Sequence, residues 1–590
     1  MKQKVAIFLG MMFFLVLTGC GGLSVKGDGP GTAGTPTPAM PAKAVTSCTD
    51  LPKTFSYADT VIHFVSPVSA GSLRIPGIAD PMPEHCLVKG KMQERKSPVD
   101  GKTYAIGFEM RLPTNWNGRF FYQANGGLDG MVTNAYGNIL GGAPTSNGLL
   151  KGFAVLSSDA GHQMEKSPIG GGLFGLDPQA RINYGYRAVG QLTPMAKNLI
   201  KAYYGKSPDK SYIIGTSNGG RHAMVAAARY ADQYDGFLAG SPGFNLPKAA
   251  VAQLWGVQQY APISKTSPTT DRPDVSTSFS KADFQLVSNK ILEKCDALDG
   301  LKDNLVSDVK KCQSVFNIDK DVATCTGPSD GTCLTKAQKT VLAAVHGGAK
   351  NKAGQPLYTS FLWDRGISSP SWGTWKFRNS TGPRDPLAVG FVFMTPPISP
   401  VVLSGTGNTL IDFVLKFDTD TDAQKIYATD GTYPESAMSF MTPPEATVLS
   451  EFVANHRKMI LVHGSSDPIF SVKDTVDWYE AFQVRHGKST PDLVRLFIVP
   501  GMSHSQGGPA TDQYDLMDAL VNWVEKGLSP NALTAKARGK DAVVKEAVNP
   551  EVPVSWLPGR TRPLCVYPEI PKYKGSGDPE AASSFSCVAP

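Results

Sequence analysis

Two kinds of sequence pattern are missing from this chain, and each absence excludes a class of function. No Cys-x-x-Cys pair occurs among the nine cysteines, which argues against a thiol redox motif and against a zinc ribbon. No dense cluster of Lys and Arg with interleaved aromatic residues occurs, and the formal net charge of +7 is small for 590 residues. Binding to nucleic acid is therefore not expected.

The apolar run at the start of the chain is too short to span a membrane. Lys2 and Lys4 precede an apolar stretch from Val5 to Val16, which is typical of a secretory signal. The stretch leads to Leu-Thr-Gly-Cys at Cys20, which resembles a bacterial lipobox. The resemblance predicts a signal peptide at residues 1–19, cleavage before Cys20 and lipidation of that cysteine. An ordinary signal peptide with a chance cysteine is the alternative.

The segment that follows has almost no bulky apolar residue. Residues 21–45 are rich in Gly, Pro, Ala and Thr, so they cannot bury enough surface to fold. We interpret residues 20–45 as a flexible tether between a membrane anchor and a folded enzyme. The expected location is the periplasm or the outer membrane, with the membrane as a partner through the lipid at Cys20.

The remaining eight cysteines are even in number, as an oxidising compartment favours. They fall into four pairs that are close in sequence, and local pairing is the simplest proposal, although the sequence leaves the connectivity open. The pairs are Cys48 with Cys86, Cys295 with Cys312, Cys325 with Cys333, and Cys565 with Cys587.

The stretch from Ser211 to Tyr230 organises the rest of the chain. A β-branched and aromatic run meets Gly-x-Ser-x-Gly at residues 215–219, and an Ala-rich helical stretch follows directly. A strand, a sharp turn and a helix are the context that the nucleophile elbow of a serine hydrolase requires. The helix N-terminus favours a developing oxyanion near Ser217. The alternative is a glycine-rich turn with an incidental serine.

Two later strands end next to residues that would complete a catalytic triad. The strand Lys458–Gly464 is followed by Asp467, and the strand 494–501 is followed by His504. The order Ser217, Asp467, His504 is that of the α/β-hydrolase fold. We assign His162 a structural role, because it precedes the serine, and His463 a packing role.

A glycine-rich segment, Asn125–Gly130, follows an early strand and is named the oxyanion loop here. In α/β-hydrolases such a loop supplies one N–H of the oxyanion hole, which predicts Gly127 as one donor and Asn218 as the other. Ser217 would attack an ester carbonyl, His504 would carry its proton, and Asp467 would orient the imidazole. This chemistry needs no redox cofactor.

The alternation of strands and helices predicts an α/β-hydrolase fold with a large insertion. Residues 46–245 and 451–590 would form the hydrolase domain. Alternation is lost between residues 246 and 450, where helical pieces such as 281–298 and 336–345 lie among loops. We name residues 246–450 the lid domain, and we expect it to set substrate choice.

The lid domain contains an acidic loop over residues 296–305. Asp296, Asp299 and Asp303 present hard oxygen ligands, and the carbonyls of Leu301 and Leu305 could complete a site suited to Ca²⁺. A solvated acidic turn is the alternative, and the nearby cysteine pair favours the metal.

Taken together, these motifs resemble the tannase and feruloyl esterase family over nearly all of residues 46–590. The resemblance rests on Asn125–Gly130, Ser158–His162, Gly215–Gly220, Asp296–Leu305, Gly464–Pro468 and Gly501–His504. It implies a structural calcium at the five ligands named above and disulfides at the four cysteine pairs. One departure is clear, because Thr216 and Ser505 stand where the family usually has a disulfide beside the triad. Either packing or a hydrogen bond between Thr216 and Ser505 is expected to hold the geometry in its place.

The family resemblance implies a small ester of an aromatic acid as substrate, of the galloyl, feruloyl or terephthalate type. Phe470 is a candidate for the acyl pocket, three residues past Asp467. Four lid aromatics are further candidates, although each could equally be core: Trp372, Trp375, Phe391 and Phe393. Two other functions stay open at this point, a lipid-anchored serine peptidase or acyltransferase and a binding lipoprotein without catalysis.

Overall fold

A twisted, mostly parallel β-sheet flanked by helices organises this protein in a computed structural model that describes residues 36–540 and 548–590. The predicted signal segment, Cys20 and the predicted tether up to residue 35 lie outside the described residues. The rest of the predicted tether, residues 36–45, is not free: Ala42–Lys43 pairs antiparallel with Asn115–Trp116, and the buried N–H of Ala39 donates to Glu525 at 2.9 Å. The nine strands of the central sheet are β1 (Thr60–Val68), β2 (His85–Lys96), β3 (Thr103–Pro113), β4 (Arg119–Ala124), β5 (Ala154–Ser158), β6 (Lys210–Thr216), β7 (Gly236–Gly240), β8 (Lys458–Gly464) and β9 (Val494–Val499).

The strand order across the sheet is β9-β8-β7-β6-β4-β5-β3-β2-β1. Strands β1, β2, β3 and β5 pair antiparallel in succession, and every pairing from β5 to β9 is parallel. Strand β5 lies between β3 and β4 in the sheet, although it follows both of them in the chain. Strand β4 therefore lies between β5 and β6. In such open sheets, the carboxyl ends of the parallel strands form the ligand crevice.

Seven helices of eleven or more residues occur in the described part of the chain. They are α1 (Ala188–Tyr204), α2 (Asn218–Arg229), α3 (Leu246–Tyr260), α4 (Lys281–Cys295), α5 (Lys336–His346), α6 (Val472–His486) and α7 (Leu516–Lys526). Helix α4 begins where Ser280 and Asp283 form a reciprocal capping box. It ends before the predicted Leu298, because the chain tightens into a 3₁₀ turn at Asp296–Asp299 that stops at left-handed Gly300.

The lid domain, residues 246–450, contributes no strand to the central sheet. Besides α3, α4 and α5 it contains shorter helical segments, among them Val309–Val315, Thr374–Asn379, Ala388–Phe393 and Thr409–Lys416. Its hydrophobic core is continuous with Tyr184 and Phe470 of the hydrolase part, and all described residues belong to one compact unit. The lid therefore packs directly over the carboxyl ends of the sheet.

The C-terminal region contains two antiparallel pairs of strands. Ala532–Lys536 pairs with Thr561–Cys565, and Ile570–Tyr573 pairs with Phe585–Val588. Four disulfides are present, and they join the cysteines that proximity in sequence paired: Cys48–Cys86, Cys295–Cys312, Cys325–Cys333 and Cys565–Cys587. Among the described residues, no helix combines the length and the apolar character that a membrane span needs.

Candidate active site

Ser217 stands on a strained turn between β6 and α2. Its φ of +62° is in a region that L-residues rarely adopt, and its backbone N–H donates to the carbonyl of Gly240 at 2.9 Å. A Cβ on Gly215 would lie 2.4 Å from the backbone of Gly219, and one on Gly219 would lie 2.3 Å from the carbonyl oxygen of Ala124. The glycines of the motif therefore allow the close backbone approach that lifts the serine above the sheet.

The three predicted triad residues meet at the carboxyl ends of β6, β8 and β9. Nε2 of His504 lies 2.9 Å from Oγ of Ser217, and Nδ1 of His504 lies 2.7 Å from Oδ2 of Asp467. Asp467 is buried, while Ser217 keeps a small exposed fraction of 9%. These distances are hydrogen-bond distances, so the arrangement can pass the serine proton to the imidazole.

Asp467 is held as a carboxylate by several donors. Oδ1 accepts the backbone N–H groups of Ile469 and Phe470 at 3.0 Å each, and His463 Nε2 lies 3.2 Å from Oδ2. Burial by itself would raise the pKa of the Asp467 carboxyl, but His504 and His463 hold it well below its usual range. His463 is fully buried, as a packing role requires, but it also contacts the triad carboxylate, which its sequence position did not indicate.

The oxyanion loop approaches the elbow closely. A Cβ on Gly126 would lie 3.7 Å from Cβ of Ser217, and Gly127 has φ +68°. His162 is buried, stacks on Phe174 at a centroid distance of 3.6 Å and places Nε2 2.8 Å from the carbonyl of Leu128. It supports the loop, in agreement with its structural assignment. Asn218 begins α2, so its N–H has no intrahelical partner.

Two aromatic side chains surround the imidazole of His504. The ring centroid of Phe470 lies 5.4 Å from that of His504, and the ring centroid of Trp375 lies 5.1 Å from it. Both contacts are edge-on. Phe470 also lines a narrow pocket together with Gly127 and Arg384. The other three lid aromatics of the sequence analysis, Trp372, Phe391 and Phe393, are buried in the lid core.

Arg384 is a pocket residue that the sequence analysis did not select. Its guanidinium stacks on Trp375 at 3.8 Å, and its Nη1 is buried with no hydrogen-bond partner among the described residues. Burial lowers the pKa of this guanidinium, but arginine stays cationic near neutral pH. The adjacent Asp385 is buried, and burial raises the pKa of its carboxyl to about 6. No local sequence pattern distinguishes Arg384 from other lid arginines.

A cavity of about 640 Å³ lies away from the triad. It separates helix α6 from lid segments around Phe316 and Trp363, and none of Ser217, Asp467 and His504 lines it. The narrow pocket beside Gly127 is nearer, because Phe470, which lines it, has its ring centroid 5.4 Å from that of His504. Cavity size therefore does not identify the reaction centre in this protein, whereas the hydrogen-bonded side chains do.

Thr216 and Ser505 connect the elbow to the loop of His504. The hydroxyl of Thr216 donates to that of Ser505 at 2.7 Å, so of the two expected alternatives a hydrogen bond is present. Ser505 has φ +68°, and its N–H donates to Oγ of Ser241 at 3.2 Å. The two loops that carry Ser217 and His504 are therefore joined by a hydrogen bond.

The double substitution Thr216→Cys/Ser505→Cys is expected to form a disulfide under oxidation, because the two side-chain oxygens are already in contact. The bridge should raise the free energy of unfolding by about 2 kcal/mol or more, with kcat changed less than about threefold. Mass spectrometry and thermal unfolding, with and without reductant, measure both effects. Thr216→Cys alone is the control, and a double variant that stays fully reduced would contradict this geometry.

The acidic loop, residues 296–305, contains buried oxygens without partners. Asp299 Oδ2 and Asp303 Oδ1 have no hydrogen-bond partner within the described residues. Burial raises the pKa of Asp299 to about 7. Asp296 instead accepts N–H groups of its own loop, those of Asp303 and Asn304 at 3.0 Å each. Unpaired buried carboxylate oxygens are the chemistry that a hard cation would satisfy.

The loop is not preassembled as a cage of carboxylates. Asp303 Oδ2 pairs with Arg560 and Arg562. In this described loop, Asp296, Asp299 and Asp303 do not bring three carboxylate oxygens within 4.8 Å of one another. Backbone carbonyls, such as those of Leu301 and Leu305, would therefore have to supply part of any cation site.

Comparison with known proteins agrees with this geometry. A family model described as tannase and feruloyl esterase matches residues 86–588. The chain belongs to the tannase and feruloyl esterase family. It is 38% identical over 543 residues to mono(2-hydroxyethyl) terephthalate hydrolase of Piscinibacter sakaiensis, covering 86% of this chain and 85% of the relative. It is 28% identical to a probable feruloyl esterase of Arthroderma benhamiae, covering 81% of each chain.

Solved structures of this family show the same fold. Feruloyl esterase B from Aspergillus oryzae superposes with a TM-score of 0.69 at 22% identity, covering 92% of this chain and 99% of that one. The tannin acyl hydrolase from Aspergillus niger superposes with a TM-score of 0.63 at 18% identity, covering 92% and 95%. The tannase and feruloyl esterase family assignment makes this chain a carboxylic ester hydrolase with the α/β-hydrolase fold.

Proposed function

We propose that this enzyme hydrolyses small esters of aromatic acids through an acyl-enzyme on Ser217. The supporting observation is the hydrogen-bonded chain from Ser217 through His504 to Asp467, which opens beside a pocket with aromatic walls. The intact chain favours a catalyst over a binding lipoprotein without activity.

In the acylation step, Oγ of Ser217 attacks the ester carbonyl while Nε2 of His504 takes its proton. The backbone N–H groups of Gly127 and Asn218 donate hydrogen bonds to the carbonyl oxygen and stabilise the negative charge that develops on it. The same imidazole then donates its proton to the leaving alcohol. In deacylation, a water molecule loses a proton to His504 and attacks the acyl carbon, which releases the acid and restores Ser217. Asp467 keeps Nδ1 protonated and stabilises the imidazolium throughout.

The pocket chemistry favours an aromatic acyl group that bears an acidic substituent. Phe470 and Trp375 offer apolar ring faces and edges, and Nη1 of Arg384 is a buried donor without a hydrogen-bond partner in the described part of the chain. A buried cationic donor gains most from an anionic acceptor. A terephthalate half-ester combines a flat ring with such an anion, and the relative named mono(2-hydroxyethyl) terephthalate hydrolase supports this class.

A panel of esters tests the proposal on the form that begins at residue 36, which keeps the strand Ala42–Lys43. We expect mono(2-hydroxyethyl) terephthalate to be turned over with a higher kcat/KM than methyl ferulate, methyl gallate or p-nitrophenyl acetate. Arg384→Gln should lower kcat/KM for the anionic ester about 10- to 100-fold, because a charge-assisted hydrogen bond is lost. The same change should alter p-nitrophenyl acetate turnover by less than about threefold.

Arg378→Gln is the matched control, since Arg378 is an exposed arginine of the same lid region. Equal losses for charged and neutral esters would contradict the role of Arg384, and preference for methyl ferulate or methyl gallate would reassign the acyl group. Cleavage of a peptide panel with no ester turnover would favour the peptidase alternative.

The proposal includes a structural Ca²⁺ at the acidic loop. Asp296, Asp299 and Asp303, with the carbonyls of Leu301 and Leu305, would hold it. A bound Ca²⁺ supplies positive charge that satisfies the unpaired oxygens of Asp299 and Asp303. It takes no part in the ester chemistry.

Adding Ca²⁺ at about 100 times its Kd is expected to stabilise the folded enzyme by about 2.7 kcal/mol relative to excess chelator. The melting temperature should rise by about 2 °C or more. Asp299→Asn should abolish this shift, whereas Asp330→Asn, an exposed acid in the Cys325–Cys333 loop, should retain it. A calcium-independent melting temperature in the native chain would refute the site.

Export, anchoring and the division into domains complete the proposal. The signal-like residues 1–19, Cys20 and the segment up to residue 35, rich in Gly, Pro, Ala and Thr, support an exported lipoprotein in the periplasm or at the outer membrane. Four disulfides in the structure suit an oxidising compartment. The hydrolase domain comprises residues 46–245 and 451–590, and the lid domain comprises residues 246–450.

A further inference from the structure

Asp129 links the two segments that carry the expected oxyanion-hole donors. It lies in the oxyanion loop with φ +53° and is buried. Its Oδ2 accepts from Nδ2 of Asn218 at 2.9 Å and lies 3.0 Å from Nε2 of His222. Both partners belong to helix α2, which begins directly after Ser217. One carboxylate oxygen therefore joins the loop of Gly127 to the helix of Asn218.

The partners of Asp129 are themselves fixed. Arg221 is fully buried, and its Nε donates to Oδ1 of Asn218 at 2.6 Å. Its Nη2 lies 3.1 Å from Nδ1 of His222. Burial lowers the pKa of His222, so the imidazole is neutral and carries one N–H. That hydrogen belongs on Nε2, because Nε2 faces the acceptor Oδ2 of Asp129 at 3.0 Å and Nδ1 is then free to accept from Arg221. With this tautomer the 3.2 Å and 3.3 Å approaches of Arg221 Nη2 and Asn218 Nδ2 to Nε2 are not hydrogen bonds.

Two other side chains hold the loop. The hydroxyl of Tyr184 donates to the carbonyl of Gly127 at 3.1 Å, and His162 holds the carbonyl of Leu128. Tyr184 reaches helix α2 through its backbone carbonyl, which accepts from Nη2 of Arg221 at 2.9 Å, and not through Asn218. Of these three side chains, Asp129 is the one that hydrogen-bonds directly to Asn218, which carries the second expected donor.

We propose that Asp129 is a positioning residue that sets the separation between the N–H groups of Gly127 and Asn218, and thereby the width of the oxyanion hole. This inference rests on the proposed function. An oxyanion donor is effective only within about 2.7–3.1 Å of the charged oxygen, so a small displacement of the loop weakens transition-state binding. Ground-state binding depends on Phe470, Trp375 and Arg384 and should change little.

Two substitutions at Asp129 test the inference without straining the backbone. Asparagine tolerates a positive φ and keeps the shape of the aspartate side chain. Glycine adopts a positive φ freely and removes the carboxylate. We expect Asp129→Asn to lower kcat about 10-fold and Asp129→Gly about 100-fold, with KM changed less than about threefold. If the glycine variant does not fold, the asparagine variant still carries the test.

Inhibition by an aryl boronic acid separates positioning from general stability. The boronate forms a tetrahedral adduct with Ser217 that uses the oxyanion hole, whereas the free aromatic acid does not. The inhibition constant of the boronate should rise in proportion to the loss of kcat, and that of the acid should stay within about twofold. Asp159→Asn is the control, because Asp159 is a buried neighbouring acid that accepts N–H groups of Gly107 and Gly161 and contacts no residue of α2.

Unchanged kcat in a folded Asp129→Asn variant, or a boronate affinity that does not follow kcat, would overturn the inference. An equal loss of kcat in Asp159→Asn would overturn it as well. Failure of the proposed function looks different, because the native chain would then show no turnover that depends on Ser217.

Discussion

Replacing Ser217 by alanine is expected to lower kcat for the preferred ester by about 10⁶-fold, as loss of the nucleophile does in a serine protease. The variant has no oxygen to accept the acyl group, and His504 loses the proton donor that lies 2.9 Å away. KM should change only a few-fold, because the pocket of Phe470 and Arg384 is untouched.

The measurement is steady-state hydrolysis of mono(2-hydroxyethyl) terephthalate, paired with labelling by a fluorophosphonate probe. The native chain should gain one label and Ser217→Ala should gain none. Ser211→Ala is the matched control, since Ser211 is a buried serine near the start of the same strand, β6. Labelling of the Ser217→Ala variant at the native rate would show that another residue is the nucleophile.

Replacing Asp467 by asparagine is expected to lower kcat by about 10⁴-fold. An amide at this position can donate to His504 Nδ1, which favours the tautomer with the wrong nitrogen protonated. His463 also contacts Oδ2 of Asp467, so the change disturbs two imidazoles at once. The rate constant of acylation in a single turnover should fall as well as the steady-state kcat.

The low pKa of Asp467 adds a dependence on pH. Because its folded pKa lies below its unfolded value, its stabilising contribution is present above about pH 4 and is lost as the pH falls further. Asp467→Asn should therefore be less stable than the native chain at pH 7, and the difference should shrink at acidic pH. Chemical unfolding at several pH values measures it.

Asp364→Asn is the control for loss of a buried carboxylate nearby, since Asp364 accepts hydrogen bonds from Ser465 and Ser466. It should lower stability while kcat falls by far less than 10⁴-fold. A loss of similar size in both variants would show that Asp467 acts through loop structure and not through His504.

Several elements could be predicted from the sequence because their signals are local. Strand β8 has the predicted bounds, since its β-branched and aliphatic run ends at glycine, whereas β9 ends at Val499, two residues before the predicted end at 501. Ser217, Asp467 and His504 were found because each follows a buried strand, and the carboxyl ends of such strands share one edge of the sheet. Helix α4 was predicted too long, because the Asp-rich 3₁₀ turn after Cys295 also has apolar residues at helical spacing.

The sequence by itself determined the strand, turn and helix around Ser217 and the order of the triad, whereas the pairing of the cysteines was established by the structure. Only the tertiary structure decided that Arg384 reaches the pocket, that His463 contacts Asp467 and that Asp129 joins the two oxyanion segments. Asp129 and His222 are 93 positions apart, and Thr216 and Ser505 are 289 apart. The physical reason is that a secondary-structure signal depends on neighbours along the chain, whereas a buried polar side chain takes its partner from whatever packing brings beside it.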